Sequence, residues 1–376
     1  MKRAKGIIIL EAKSLSMIYG ADELRDIAEL VDLVAPPQTR EAVYANPTLM
    51  HDVEVLFSGW GPPVLDAEFL SYAPALRAVF YGAGSVCGIV TDAVWERGIT
   101  VSSAYGANAV PVAEYTLASI LFSLKHAWRL SQQMRLQKRL VDREAAPGNY
   151  GSRVGLISLG AIGRRVLELL APFDLEIAVY DPFLTRPMAN SLGVELLSLE
   201  EIFSTCNVVS LHAPLLEETE GMIGGDHFRR MLPGAAFINT ARGELVRENE
   251  MLEVLAERPD LQAVLDVSTH EAEATDSLLY RLPNVFVTPH IAGSTGNECH
   301  RMGRYMVDEC RRFLLRQPLH WQITRELAER SSHRAITSRP GLYIAAMTPR
   351  VSTGRNVWAT PDGRIGATLP AANGAE

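Results

Sequence analysis

Residues 153–170 read RVGLISLGAIGRRVLELL. An apolar run passes through a small-residue turn, with Gly160 and Gly163 three apart, directly into a segment of helical period. Strand, tight turn and helix in that order make the first half of a βαβ crossover, and the rest of the chain repeats the rhythm. Downstream, apolar runs fall at 177–180, 208–211, 236–239, 263–267 and 285–288. They are near-continuous rather than alternating, as expected of strands covered by helices on both faces. Upstream, runs at 6–10, 53–58, 78–81 and 100–102 alternate with helical segments at 22–30 and 91–97, which Asp22 and Thr91 are placed to cap. The predicted fold class is α/β, built on parallel sheets.

Between the two series lies a long amphipathic stretch from Pro111 to about Leu140, followed by a polar Pro/Gly segment at 145–152. A further helical pattern, from Thr295 to about Leu315, would carry the chain back toward the first series. Beyond Arg330 the periodicity fades, and residues 331–376 form an extension rich in Ser, Thr, Pro, Gly and Ala.

The length of 376 residues suggests two or three domains. Acidic residues outnumber basic ones, 44 to 36, and the net charge of −8 argues against a general affinity for polyanions, so nucleic acid is not an expected partner. The four cysteines, Cys87, Cys206, Cys299 and Cys310, show neither disulfide-framework nor metal-type spacing, and a reducing cytoplasm with no metal site is the expectation. The N-terminal apolar run ends at Leu10, too short for a signal-peptide core, and reads as a first buried strand. Pro111, Glu114, Lys125 and His126 interrupt the most apolar region, so no stretch of about 18 apolar residues is left to span a bilayer.

In a dinucleotide-binding turn, glycines let the backbone approach a pyrophosphate whose charge rests on the helix N-terminus. Here Ser158 stands where the first glycine of such a fingerprint would be, and a plain strand-to-helix turn is the competing explanation. The next strand ends in Asp181, 18 residues after Gly163, near the offset of about 20 for a carboxylate that bonds the ribose hydroxyls. Such a carboxylate repels a 2′-phosphate, so NAD is favoured over NADP. A helix-capping role before Pro182 is the alternative for Asp181, and Arg186 could serve a phosphate.

Three polar side chains fall at the C-terminal ends of successive apolar runs: Arg242, Asp266 within 263–267, and His290, with Glu271 shortly after Asp266. In an open α/β sheet the ligand crevice lies beyond the carboxyl ends of the strands, so residues far apart in sequence can meet there. Singly, each has a bland explanation as a surface ion pair, loop acid or loop histidine. Together they make an acid–base set for interconverting a 2-hydroxy acid and a 2-oxo acid. Histidine can take or give the hydroxyl proton near neutral pH, Glu271 would orient it and support its charged form, and Arg242 offers a cationic fork for a carboxylate. Asp266, one strand before His290, is placed to orient the nicotinamide end of a cofactor.

INTARGELV, VLDVSTHEAEA and LPNVFVTPHIAGST, with SLHAPLLEETEGMI and RGITVSSAYGANAVPVAEYTLA, resemble the signature segments of the D-isomer-specific 2-hydroxyacid dehydrogenases. The resemblance runs from about Val53 to Leu315. It implies two Rossmann-like or flavodoxin-like domains with a cleft between them: 1–115 plus 300–330 for substrate, and 116–299 for NAD. It implies His290 as acid/base, Glu271 as its partner and Arg242 as substrate anchor. Gly160, Ala161 and Ile162 would surround the pyrophosphate and Asp181 the adenosine ribose. His212, Pro214, Thr219, Thr240, Ala241, Arg242, Asp266, His290 and Gly293 would complete the cofactor surface. Backbone amides of Gly82, Ala83 and Gly84 would hold the substrate carboxylate, a turn after a strand being the plain alternative. A homodimer paired through the region of 111–140 is also implied. Cys87–Gly88, where many relatives have Asp–Asn, and Ala272, after the glutamate, depart from the usual pattern. Two other readings compete: an NAD(H)-sensing scaffold that regulates a partner, and a dehydrogenase of another small anion such as formate or phosphite. Trp60 and Tyr81 are candidates for shaping the pocket, with core packing the plainer role for each.

Overall fold

Every apolar run marked above as a strand is a strand in the computed structural model, which describes residues 3–143, 146–269 and 277–331. The first sheet is built from β1 (Lys5–Ile9), β2 (Asp32–Leu33), β3 (Val55–Ser58), β4 (Ala78–Tyr81) and β5 (Thr100–Ser103), side by side in the order β5-β4-β3-β1-β2 and all parallel. The second takes β6 (Arg153–Ile157), β7 (Glu176–Tyr180), β8 (Glu195–Leu196), β9 (Val208–Leu211), β10 (Ala236–Asn239), β11 (Gln262–Leu265) and β12 (Val285–Val287) in the order β12-β11-β10-β9-β6-β7-β8, again all parallel. The order reverses beside β6, which places a crevice at the carboxyl end of the strand that feeds the glycine turn.

Both faces of each sheet are covered, which is why the strands read as unbroken apolar runs. In β1, Ile7 and Ile9 enter one core while Ile8 enters the other, beside Phe57 of β3 and Phe80 of β4. The chain returns to the first sheet through the helix Glu298–Leu314, whose Met302, Met306 and Cys310 fill that second core. It then adds β13 (Gln322–Ile323) antiparallel to β5. This last strand is fastened by Glu309, a carboxylate 1% exposed that accepts bonds from Ser102 Oγ (2.9 Å), Trp321 N (2.9 Å) and His320 N (3.0 Å).

Three helical expectations shift. The segment at 22–30 is capped by Gly20 and begins at Ala21, so Asp22 lies inside the first turn. Thr91 does sit at an N-cap, but its hydroxyl donates to Leu65 O at 2.7 Å rather than capping the helix. The stretch from Pro111 to Leu140 is two helices, Tyr105–Leu124 and Ala127–Gln137. They part at His126, whose backbone takes φ +50° and whose Nε2 pairs with Gly234 O at 2.9 Å, so a buried contact with another element overrides the helical repeat. Tyr105–Leu124 starts before Pro111 and carries it inside. By length and composition this helix could cross a membrane, yet 56% of its most apolar window is buried, against Ala161–Leu170, Glu298–Leu314 and the second sheet.

Candidate functional site

At the end of β6 the chain must turn sharply into the helix Ala161–Leu170. Ser158 makes the turn with φ +77°, the left-handed region that a glycine enters at little cost, which is why the fingerprint ordinarily has glycine there. Gly163 is needed for a different reason: a Cβ on it would lie 2.2 Å from Ser158 O, so only a hydrogen lets the helix close on the strand end. Gly160 caps the helix without any side-chain bond, and a Cβ on it would meet nothing within 4 Å. The first helical N–H groups, at Ala161 and Ile162, therefore face open space with the positive end of the helix behind them. Asp181, past the end of β7, leans over the same turn: its carboxylate accepts from Leu159 N at 2.7 Å and from Phe183 N at 2.8 Å.

His212 follows β9, next to β6. Its Nε2 pairs with Ser210 Oγ at 3.0 Å, its Nδ1 has no partner among the described residues, and burial lowers the imidazole to about 4, so the ring is neutral at physiological pH. Pro214 and Thr219 close the loop that follows: Thr219 Oγ1 donates to Pro214 O (2.6 Å) and accepts from Leu216 N (2.8 Å). The Thr219 hydroxyl thus serves the loop's own backbone, and shapes the crevice rather than offering it a free donor.

Arg242, Asp266 and His290 come together because of strand order: β11 pairs with β10 on one side and β12 on the other. Asn239 fixes the arginine segment, its amide accepting from Ala241 N (3.0 Å) and donating to Arg242 O (2.9 Å), while Arg242 Nη1 donates to Ala241 O at 2.6 Å. Thr240, buried, bonds Thr116. Gly243 allows backbone to touch backbone, since a Cβ there would lie 2.2 Å from the Ser268 carbonyl carbon. Asp266, 2% exposed, organises the histidine segment: Oδ1 accepts from Thr288 Oγ1 (2.6 Å) and Ile291 N (2.8 Å), Oδ2 from Ala292 N (2.8 Å), and its carbonyl from His290 N (3.1 Å). The first task of this carboxylate is therefore to hold the histidine loop. His290 itself sits at φ +55°, a left-handed conformation that this set of bonds enforces. Glu271 lies outside the described residues; the segment leading to it is held at Thr269 N by the buried Glu248 carboxylate, 2.8 Å away.

The loop after β4 corrects one expectation. Gly82 N donates to Ser58 O at 2.8 Å, and a Cβ on Gly82 would strike Ile18 and crowd the Tyr19 hydroxyl, so this glycine serves packing and its amide is spent. The amides of Ala83 and Gly84 have no partner among the described residues, while their carbonyls are bonded by Ala104 N and Ser103 Oγ. The loop approaches the arginine: burial raises the Cys87 thiol, and the charge of Arg242 pulls it partly back down. Gly293 lies against Asn108, whose Oδ1 accepts from Ser294 N at 2.9 Å, and the Asn108 amide also lies beside Gly84. Trp60 and Tyr81 pack in the core of the first sheet.

Sequence reasoning missed Asn108, Tyr115, Thr116, Thr288 and Glu248. Only Thr288, two residues before His290, carried a positional hint; the others act across elements, where local spacing is silent. The residues present fit a dinucleotide: an uncapped helix N-terminus over an open glycine, a carboxylate beside the turn, and a neutral buried histidine with an unused ring nitrogen in the same crevice.

Residues 117–292 match the family described as D-isomer specific 2-hydroxyacid dehydrogenase, NAD binding domain. The chain is 34% identical over 302 residues to the (S)-sulfolactate dehydrogenase of Chromohalobacter salexigens, covering 77% of this chain and 97% of that one. It is 32% identical over 249 residues to the D-3-phosphoglycerate dehydrogenase of Mycobacterium bovis, covering 66% of this chain and 47% of that one. The chain thus spans about half the length of the phosphoglycerate dehydrogenases it matches. A phosphoglycerate oxidoreductase from Rhizobium etli shares the fold, with a TM-score of 0.73 at 22% identity over 86% of this chain and 99% of that one.

Proposed function

Because the chain belongs to the D-isomer-specific 2-hydroxyacid dehydrogenases and carries their NAD-binding domain, we propose that it moves a hydride between NAD(H) and a small 2-hydroxy or 2-oxo acid. The observation that carries this reading is the placement of Arg242 and His290 on either side of the buried Asp266, at the carboxyl edge of the sheet that bears the dinucleotide turn. NAD, when bound, supplies the hydride acceptor or donor. Arg242 draws in the substrate carboxylate and polarises its neighbouring carbonyl, aided by the amides of Ala83 and Gly84. His290 takes the hydroxyl proton in oxidation and returns it in reduction, with Glu271 as its partner. In this reading 1–115 with 300–330 bind substrate, 116–299 bind NAD, and 331–376 are an extension.

The test is an NADH oxidation screen against glyoxylate, pyruvate, hydroxypyruvate, bulkier 2-oxo acids, and the phospho and sulfo analogues that the relatives' names suggest. Turnover with one of them, reduced at least about 100-fold in His290→Ala with NADH binding retained, is the expected result. NADH binding without turnover on any of them defeats the proposed chemistry.

We further propose a homodimer. The helix Ala127–Gln137 buries none of its residues, and Phe122, Met134 and Leu136 stand exposed on it and on the end of the helix before it. Light scattering on the purified chain decides between one copy and two. The expected setting is cytoplasmic, which the four free cysteines support.

A further inference from the structure

One helix touches both reacting segments. On Tyr105–Leu124, Tyr115 Oη lies 2.9 Å from Thr288 Oγ1, and Thr116 Oγ1 lies 3.1 Å from Thr240 Oγ1. Thr288 has a single hydroxyl proton and gives it to Asp266 Oδ1, so Tyr115 must be the donor in the first pair. A directed chain results: Tyr115 to Thr288 to Asp266, whose carboxylate and carbonyl then hold the backbone of His290, Ile291 and Ala292. The second pair acts two residues before Arg242, at the point where β10 ends. Two turns earlier on the same helix, Asn108 bonds Ser294 N, so the far end of the histidine segment is held from the same element.

We infer that Tyr115 and Thr116 are positioning residues: neighbouring hydroxyls on one helix that keep the Arg242 segment and the His290 segment in register with each other. The inference rests on the proposed function only in taking those two side chains as the reacting pair. Hydride transfer needs the carboxylate anchor and the proton carrier at a fixed separation, and the strands bearing them, β10 and β12, are not hydrogen-bonded to one another. A rigid rod bonded to both supplies a second constraint beside Asp266. The hydroxyls are well protected for this work. Thr116 is fully buried, and Tyr115 is half-buried, which raises its phenol further above the ordinary tyrosine range.

The experiment uses the full chain with Tyr115→Phe, Thr116→Val and Thr116→Ser. The first two keep side-chain shape and remove a hydroxyl; the third restores it. Hydrogen exchange is followed by mass spectrometry without substrate, alongside NADH titration and NADH oxidation with the best 2-oxo acid. Expected are faster exchange confined to peptides covering 288–294 in Tyr115→Phe and 239–243 in Thr116→Val, and kcat about tenfold lower in both. NADH affinity should stay within about twofold, and Thr116→Ser should return to wild-type behaviour. Exchange that does not change, exchange that rises evenly over both sheets, or Thr116→Ser as impaired as Thr116→Val would each overturn the inference. A wild-type chain inactive on every 2-oxo acid would instead defeat the proposed function, and exchange would still decide the positioning role.

Discussion

Ser158 shows how one side chain can occupy a position whose geometry favours glycine. At φ +77° an L-residue is strained by an amount on the order of 1–3 kcal/mol, and no bond of the Ser158 side chain offsets it among the described residues. Ser158→Gly should therefore raise unfolding stability by about 1 kcal/mol in urea titration, the gain being reduced by glycine's larger entropy in the unfolded chain. An unchanged midpoint would mean that the strain at Ser158 is no larger than the entropic cost of the glycine. His212 supplies a prediction of pH dependence. Its folded-state value, lowered by burial to about 4, lies below its ordinary 6.5, so the unfolded chain binds the extra proton between those values. Its contribution is fully present above pH 6.5 and is lost as pH falls toward 4. Urea midpoints measured from pH 7 to pH 4 should fall less steeply in His212→Gln than in the wild type.

At the scale of elements, the best test is the join between the return helix and the last strand. Glu309 accepts three hydrogen bonds while buried, two of them from backbone amides next to β13. Glu309→Ala leaves those donors without a partner and should cost about 3 kcal/mol, read by chemical denaturation, with exchange rising first at 320–323. Equal exchange everywhere would show that the strand is held by other contacts. The same join marks what local sequence can express. Strands of four or five residues covered on both faces leave an apolar run, so β3 or β10 can be read directly. Two-residue strands such as β2, β8 and β13 leave none. That Arg242, Asp266 and His290 would follow neighbouring strands was legible because each lies at or just past the end of an apolar run, and the place of Asp181 beside the glycine turn because one crossover separates them. Tyr115, Thr116 and Glu309 were not, since their partners lie between 11 and 207 residues away and are set by packing alone. Gly82 misled for a related reason: a glycine after a strand signals a turn, but only the neighbours Tyr19 and Ser58 show that its amide is spent.

At the scale of the molecule, a cofactor that binds the folded chain must stabilise it. NADH at about 100 times its dissociation constant should add about 2.7 kcal/mol to unfolding stability. NADPH at the same concentration should add much less, because the Asp181 carboxylate, in the ribose-binding role proposed for it, would repel a 2′-phosphate. A calorimetric scan with each nucleotide reads this directly, and equal shifts would remove Asp181 from the ribose site. The net charge of −8 does not oppose the proposed anionic substrate, since one arginine and a few backbone amides are enough to set the local field of a crevice against the total.

Glu309 and Ser102, bonded to each other, are 207 residues apart in sequence, and the whole of the second sheet is inserted between them. During synthesis the two sheets therefore cannot be finished in the order in which they are begun. The strands of the second sheet all emerge within residues 153–287 and can close on themselves, whereas the first sheet waits for the helix Glu298–Leu314 to fill its core and for β13 to cover its edge. The part of the chain made first is the part completed last. Until then β5 is an open edge beside an uncovered apolar face, the kind of surface on which nascent chains pair wrongly. Aggregation of chains truncated before Glu298 is the cost this topology carries.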